Sequence, residues 1–172
     1  GSHLIKLGEA ATRNFGRFAR PYLAELMEAS GETANLAVLE DGQVAYVAQV
    51  PSRQHRVRMF TEVGRRVLPP SSAVGKVVLA FRPRAEVEAL LARMGLPRRT
   101  PRTITDLGRF LAELDTVARQ GYAIDSGEEE VGVRCLAVPV FGVGESVAAM
   151  SVSVPEGRLE PNDVERILPE ML

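Results

Sequence analysis

Two apolar runs, Ala34 to Leu39 and Gln43 to Val50, flank the pair Asp41-Gly42. Asp-Gly between strand-length apolar segments is the strongest short signal for a two-residue hairpin, because both central positions of that turn need positive φ. The fold must therefore accommodate an antiparallel hairpin and bury at least one of its faces. Arg56 to Phe60 alternates polar and apolar residues through Arg56, Val57, Arg58 and Met59, which predicts a half-buried third strand and hence a meander.

A second group of strand-like runs lies near the other end: Tyr122 to Asp125, Val133 to Phe141 and Val147 to Val154, the last two joined by Gly142-Val143-Gly144-Glu145. Between the groups the period changes. Pro69-Pro70 stops a strand, and Ser71 or Ser72 can cap a helix through Ala73, Val77, Val78 and Phe81. Pro83 opens a helix over Glu86 to Met94. Another spans Asp106 to Arg119, with a capping Asp or Thr at its start and Gly121 at its end.

Helices also flank the strands. From Glu9 to Ala29, the residues Phe15, Phe18, Tyr22, Leu26 and Ala29 recur at spacings of three and four, predicting one buried face, with a kink or a restart near Arg20 imposed by Pro21. Gly31 ends it. Leu159 to Leu172 reads as a closing helix opened by Pro161, with Val164, Ile167 and Leu168 inward. This order fits one α+β domain: an antiparallel sheet of about six strands with helices on its faces.

Length and composition agree with a single packed domain. The 172 residues are 45% hydrophobic and 25% charged, and the 21 basic and 22 acidic residues leave a formal charge of −1. A surface that neutralises several phosphates unaided carries a basic excess, so direct nucleic-acid binding is not expected. No apolar run is long enough to span a bilayer, and Gly1-Ser2-His3 has no signal-peptide character, so the expected address is the cytoplasm and the opening tripeptide reads as a tag remnant. With Cys135 the sole cysteine and His3 and His55 the only histidines, neither a disulfide nor a Cys/His metal site is expected.

No catalytic constellation stands out. Cys135, among Val133, Leu136 and Val138, has the setting of a small buried hydrophobe, and His55 is the only candidate base outside the tripeptide. Ser151 and Ser153 alternate with Val152 and Val154, placing both hydroxyls on one sheet face, toward water or a polar cavity. Asp125 stands before Ser126-Gly127, where a turn hydrogen bond is the usual role. Glu128, Glu129 and Glu130 read as a solvated charge run. Lys76 is one of two lysines, but Gly75-Lys76-Val77 lacks the phosphate-loop pattern. The arginines Arg53, Arg56, Arg58, Arg65 and Arg66, like Arg98, Arg99 and Arg102, are expected to be solvated, paired with acids, or engaged in subunit contacts.

Several separated motifs resemble one known family. Gly31-Glu32-Thr33-Ala34-Asn35-Leu36-Ala37-Val38-Leu39, Val63-Gly64-Arg65-Arg66, Gly75-Lys76, Arg102-Thr103-Ile104-Thr105-Asp106, Gly121-Tyr122-Ala123-Ile124-Asp125, Gly132 to Val140 and Ser151-Val152-Ser153 follow the order and spacing of the effector-binding domain of IclR-type transcription regulators. The likeness runs from about Phe15 to Leu172 and implies a GAF-like or profilin-like fold. It further implies a division into a tag remnant (1–3), a linker helix (4–30) and an effector domain (31–172), with the winged helix-turn-helix DNA-binding domain outside this chain.

The resemblance implies a small-molecule effector, often a carboxylate or aromatic acid, held by Ala73, Val74, Asp125, Val133, Cys135, Ser151 and Ser153, with Met59 and Val67 as an apolar wall. No cofactor, metal or enzymatic activity is implied. The expected partners are a second copy of the chain, as a dimer or dimer of dimers, and DNA only through the absent domain. Three other functions fit the same pattern: a GAF-like sensor of a nucleotide or chromophore in another protein class, an oligomerisation module without an effector, and a small enzyme acting on a carboxylic substrate.

Overall fold

The structure is a computed structural model and describes residues 17–56, 59, 62–141, 146–159 and 161–171. Helix α1 covers residues 17–30, followed by β1 (Thr33–Glu40), β2 (Gln43–Val50) and the two-residue β3 (Arg66–Val67). Next come α2 (Ala73–Ala80), α3 (Arg84–Met94) and α4 (Leu107–Gln120). The chain closes with β4 (Ala123–Ser126), β5 (Val133–Phe141), β6 (Ser146–Pro155) and α5 (Pro161–Ile167). All strands pair antiparallel in one sheet of order β3-β2-β1-β6-β5-β4, so the two meanders join through β1 and β6.

The hairpin turn has Asp41 at φ 50° and Gly42 at φ 78°, the positive pair that matches the twist of its strands. A bulge follows in β2. Leu36 pairs with Ala48 but Ala37 with Tyr46, leaving Val47 as the extra residue. The bulge lets β2 feed both layers: Val44 and Tyr46 join the α2 side, whereas Ala48 and Val50 join the opposite core.

That opposite core packs Leu36, Leu136, Val138, Val152 and Val154 against Leu23, Leu26 and Met27 of α1 and Ile167 of α5. On the other face α2 lies on Ala37, Ala123, Ala137 and Ala149. Four alanines where strands usually carry larger residues let the helix approach closely, and burying Val77 and Val78 there stabilises the fold by about 1.5–3 kcal/mol each. Gly75 fits the same economy of space. A Cβ on it would lie 2.2 Å from the Pro69 carbonyl oxygen and 2.3 Å from Pro69 Cα. A third apolar cluster, Leu79, Val87, Leu91, Ile104, Phe110 and Leu114, seats α3 and α4 on the outside of α2.

Three sequence expectations need correction. The helix runs unbroken through Pro21 from residue 17 to 30, and its buried stripe is Leu23, Leu26 and Met27; Phe18 and Tyr22 are 77% and 65% exposed. Two stripes share Leu26, and the sheet takes the aliphatic one. Next, Arg56 sits in a bend and Met59 outside any strand, while Val57, Arg58 and Phe60 lie outside the described residues. The third strand is Arg66–Val67, held to Ala45 and Val44 after a turn at Gly64. Finally, Glu128 of the supposed solvated run is buried. The glycine turn at 142–145 and the tripeptide 1–3 also lie outside the described residues.

Candidate functional site

The α2-facing side of the sheet changes from alanines to polar residues toward one end. Gln49 Nε2 donates to Asn35 Oδ1 at 3.1 Å, Asn35 Nδ2 donates to Ser153 Oγ at 3.2 Å, and Cys135 Sγ donates to the same oxygen at 3.2 Å. Strand register adds Asp125, opposite Cys135 on the edge strand. One polar side chain from each of five adjacent strands thus forms a row across the sheet. Thr33 extends it, donating to the Met59 carbonyl at 3.0 Å and accepting from the Ser52 N–H at 3.1 Å.

The row ends in a cavity of about 40 Å³ lined by Tyr46, Met59, Arg65, Val67, Ser72, Asp125, Glu129, Glu130, Val133, Cys135 and Ser153. Helix α2 starts at its edge. Ser72 caps the helix, its Oγ accepting from Gly75 N–H at 3.2 Å, while Lys76 N–H reaches the Ser72 carbonyl. The first-turn N–H groups of Ala73 and Val74 have no acceptor within the helix, so the positive end of the helix dipole faces this region.

Of the nine residues singled out in the sequence, Met59, Val67, Asp125, Val133, Cys135 and Ser153 line the cavity together. Ala73 and Val74 are instead packed in the α2 cluster. Ser151 is fully buried one step farther along β6, opposite Asn35 and Ala137, and its Oγ has no hydrogen-bond partner among the described residues. Tyr46, Arg65, Ser72, Glu129 and Glu130 were not assigned to a site from sequence. Their common signal is position: Tyr46 lies on β2, and the others lie on segments brought to the same end of the sheet, which only tertiary structure reveals.

Burial dominates the electrostatics. It raises the Asp125 carboxyl to about 7, against the opposing hydrogen bond from Glu128 N–H to Asp125 Oδ1 at 2.6 Å. Burial likewise lifts the Cys135 thiol to about 12, with the nearby Asp125 carboxylate adding to it, and pushes the Tyr46 phenol upward. A thiol so poised is a poor nucleophile at neutral pH. His55 is no base for it, since its Nε2 faces Glu32 Oε1 at 3.5 Å.

Beneath the cavity a buried lysine ties three elements together. Lys76 Nζ donates to Glu128 Oε1 at 2.5 Å, Glu113 Oε1 at 3.1 Å and the Ile124 carbonyl at 3.2 Å. Its side chain is 1% exposed and that of Glu128 9%. The pair fixes the β4–β5 loop on α2, which explains why Glu128 escapes solvation. Arg65, Arg66, Arg99 and Arg102 pair with Glu130, Glu40, Glu129 and Glu156 respectively, as arginines among acids tend to.

Among the described residues no group of three or more His, Cys, Asp or Glu is placed to hold a metal ion, and no helix is long and apolar enough to cross a membrane. The sequence pattern described as "Bacterial transcriptional regulator IclR C-terminal" matches residues 10–172. A curated relative, the HTH-type transcriptional regulator KdgR of Escherichia coli, is 39% identical over 155 residues, which are 88% of this chain and 59% of that protein. The chain thus spans little more than half the length of that relative.

Among solved structures, the Thermotoga maritima IclR superposes with a TM-score of 0.88 at 31% identity, over 99% of this chain and 70% of that one. The inducer-binding domain of the PobR transcription factor from Acinetobacter, a double mutant in complex with 3-hydroxybenzoic acid, gives 0.83 at 30% identity over 91% and 92% of the two chains. The curated relatives are named as transcriptional regulators rather than enzymes. This chain belongs to the IclR family of bacterial transcriptional regulators, as the C-terminal domain of one.

Proposed function

We propose that the chain is the sensing and assembly domain of a ligand-controlled regulator: a small metabolite, a carboxylate or aromatic acid, enters the cavity and biases the arrangement of a homo-oligomer. Residues 31–172 form the receiving domain and 4–30 the linker, through which the bias passes to a winged helix-turn-helix domain of a longer cytoplasmic protein. The polar row carries this reading. Burying amides, hydroxyls and a carboxyl under a helix costs free energy that an apolar sheet face would not incur, and the row leads to the one end of α2 suited to an anion.

Two observations support the rest. The Acinetobacter PobR domain of the same fold is in complex with a hydroxybenzoic acid. The exposed aromatic stripe of α1, Phe18 and Tyr22, offers an apolar surface for a second copy, on the same helix whose opposite stripe enters the core. Switching a population from 1:99 to 99:1 requires about 5.5 kcal/mol of differential affinity. A six-heavy-atom acid binds with at most about 9 kcal/mol, so a small effector spends most of its binding on one state.

The test is a thermal-shift panel of hydroxybenzoates, keto acids and sugar acids, followed by calorimetry. A ligand at 100 times its Kd stabilises the native chain by about 2.7 kcal/mol. Ser153→Ala, which removes the hydroxyl at the centre of the row, is expected to weaken binding by about 1.5–3 kcal/mol. A panel that raises no melting temperature leaves a pure assembly domain. Unchanged affinity in the variant would place the ligand elsewhere.

A further inference from the structure

The cavity that fits an anion by its helix start is unfriendly to one by its charges. Among the described residues, Asp125, Glu129 and Glu130 line it against one cation, Arg65. Glu129 stands out among them. Its Oε2 accepts from Ser71 Oγ at 2.5 Å, the hydroxyl immediately before the α2 cap, and its Oε1 lies 3.5 Å from Arg99 Nη2. Glu130 Oε2 is 3.9 Å from Arg65 Nη2. Three side-chain donors beside the cavity, Ser71, Arg99 and Arg65, are thus already engaged by the protein's own carboxylates.

The segment bearing these groups is held in place. Glu128 is anchored to buried Lys76, its backbone N–H bonds to Asp125, and Thr103 Oγ1 donates to the Glu128 carbonyl at 2.7 Å. With residue 128 fixed from three directions, Glu129 has one short side chain's freedom, and its side chain is only 13% exposed. Ser151 adds an independent sign that the interior expects something more: a fully buried hydroxyl on the same strand and face as Ser153, about 7 Å farther in, with no partner among the described residues.

We infer that Glu129 is a tethered stand-in for an anionic ligand: its carboxylate occupies the Ser71 hydroxyl beside the α2 start, so an acid is received only by displacing it, and Glu129 thereby sets the cavity's discrimination between acids and their neutral isosteres. This inference rests on the cavity being the receiving site. It assigns Glu129 a positioning and selecting role that is distinct from the contacts made by the polar row. An acid must compete with a carboxylate that cannot diffuse away, whereas a neutral molecule of the same shape meets no such charge.

The sole cysteine reports on this without knowledge of the effector: Cys135 lines the cavity, and because burial keeps its thiol protonated, its slow alkylation is followed at alkaline pH. Iodoacetate and iodoacetamide are an acid and its neutral isostere. Each joins Cys135 Sγ to its methylene carbon, expels iodide and releases the thiol proton to buffer. Rates of both are measured by intact-mass spectrometry on the folded chain and normalised to the urea-unfolded chain.

In the wild type the iodoacetamide-to-iodoacetate ratio is expected to exceed that of the unfolded chain. Glu129→Gln keeps the shape and an acceptor for Ser71 but removes the charge. A unit charge about 8 Å away at an effective dielectric of about 40 changes a rate about fivefold. Loss of the charge eases thiol ionisation for both reagents alike, so the iodoacetate-to-iodoacetamide ratio is the readout, and it is expected to rise about fivefold in this variant. Glu130→Gln, at an exposed position, is expected to shift the ratio much less.

Circular dichroism confirms that each variant is folded. A ratio that stays unchanged in Glu129→Gln would overturn the inference, as would an equal shift of the ratio in Glu130→Gln, which would indicate a diffuse field. The sensor proposal fails separately: a metabolite panel with no stabilising member leaves the haloacetate ratio intact.

Discussion

Replacing Lys76 by methionine removes the cation at the junction of α2, α4 and the β4–β5 loop while keeping the length of the side chain. The cost follows from what each partner does next. Glu113 is one-third exposed and turns to water, but the Glu128 side chain is 9% exposed, and its Oε2 already lacks a hydrogen-bond partner. A buried carboxylate stripped of its counter-charge destabilises a fold by about 3–5 kcal/mol. For a chain of this length each kcal/mol lowers the melting temperature by about 2–4 °C, so the expected fall is about 6–20 °C.

The loss should depend on pH in a defined direction. Burial pushes the Glu128 carboxyl above its ordinary range and the Lys76 ammonium pulls it back, so the upward shift grows in the variant, where a backbone hydrogen bond from Ser126 still opposes it. An acid with a raised folded-state pKa holds a proton that the unfolded chain gives up, and stability then falls as pH rises above the unfolded value of about 4.3. Urea unfolding followed by circular dichroism should show a smaller deficit at pH 5 than at pH 8. The double variant Lys76→Met/Glu128→Leu should regain most of the loss. A deficit under about 1 kcal/mol, one independent of pH, or a double variant no better than the single would refute this account of the pair.

Two further outcomes follow from the same region. Gly75→Ala forces a methyl group to within 2.2 Å of the Pro69 carbonyl, so α2 must lift from the turn before it; a stability loss of about 1–3 kcal/mol or more is expected in urea midpoints. Asp125, raised to about 7 by burial, keeps a proton that the unfolded chain releases near pH 4. Its contribution to stability therefore declines as pH rises from about 4 to 7, at up to about 1.4 kcal/mol per pH unit, and Asp125→Asn should lack that slope.

Local chemistry made parts of this fold legible in the sequence. Asp41-Gly42 dictates its turn because few residue pairs tolerate two positive φ angles, and Ser72, Asp106 and Gly121 mark helix ends through hydrogen bonds made within a few residues. Where two outcomes share the same local pattern, the sequence could not choose. The apolar residues of α1 define two overlapping stripes, and only the sheet's position selects Leu23 and Met27 over Phe18 and Tyr22. Likewise Arg66–Val67 is too short to show a period, and its pairing with Val44 and Ala45 is set by the turn at Gly64.

The site divides the same way. Alternation puts Ser153 and Cys135 on faces that can meet, and the strand register brings them together. Glu128 to Glu130 carry no local sign of burial: a run of three acids looks solvated until Lys76, 52 residues away from Glu128, is placed beneath it. Long-range pairing of opposite charges leaves no periodicity to read.

The row of Gln49, Asn35, Ser153, Cys135 and Asp125 draws one member from each of five strands, and the apolar layers above and below draw mainly on other positions of those strands, Cys135 also touching the α2 cluster. Chemical character and mechanical integrity are therefore encoded at separate addresses along the same chain. Under the proposed sensing function, a codon change at Asp125, Cys135 or Ser153 would retune what the chamber accepts and leave most of the cement of the building in place, so that relatives could drift toward new molecules on one architecture.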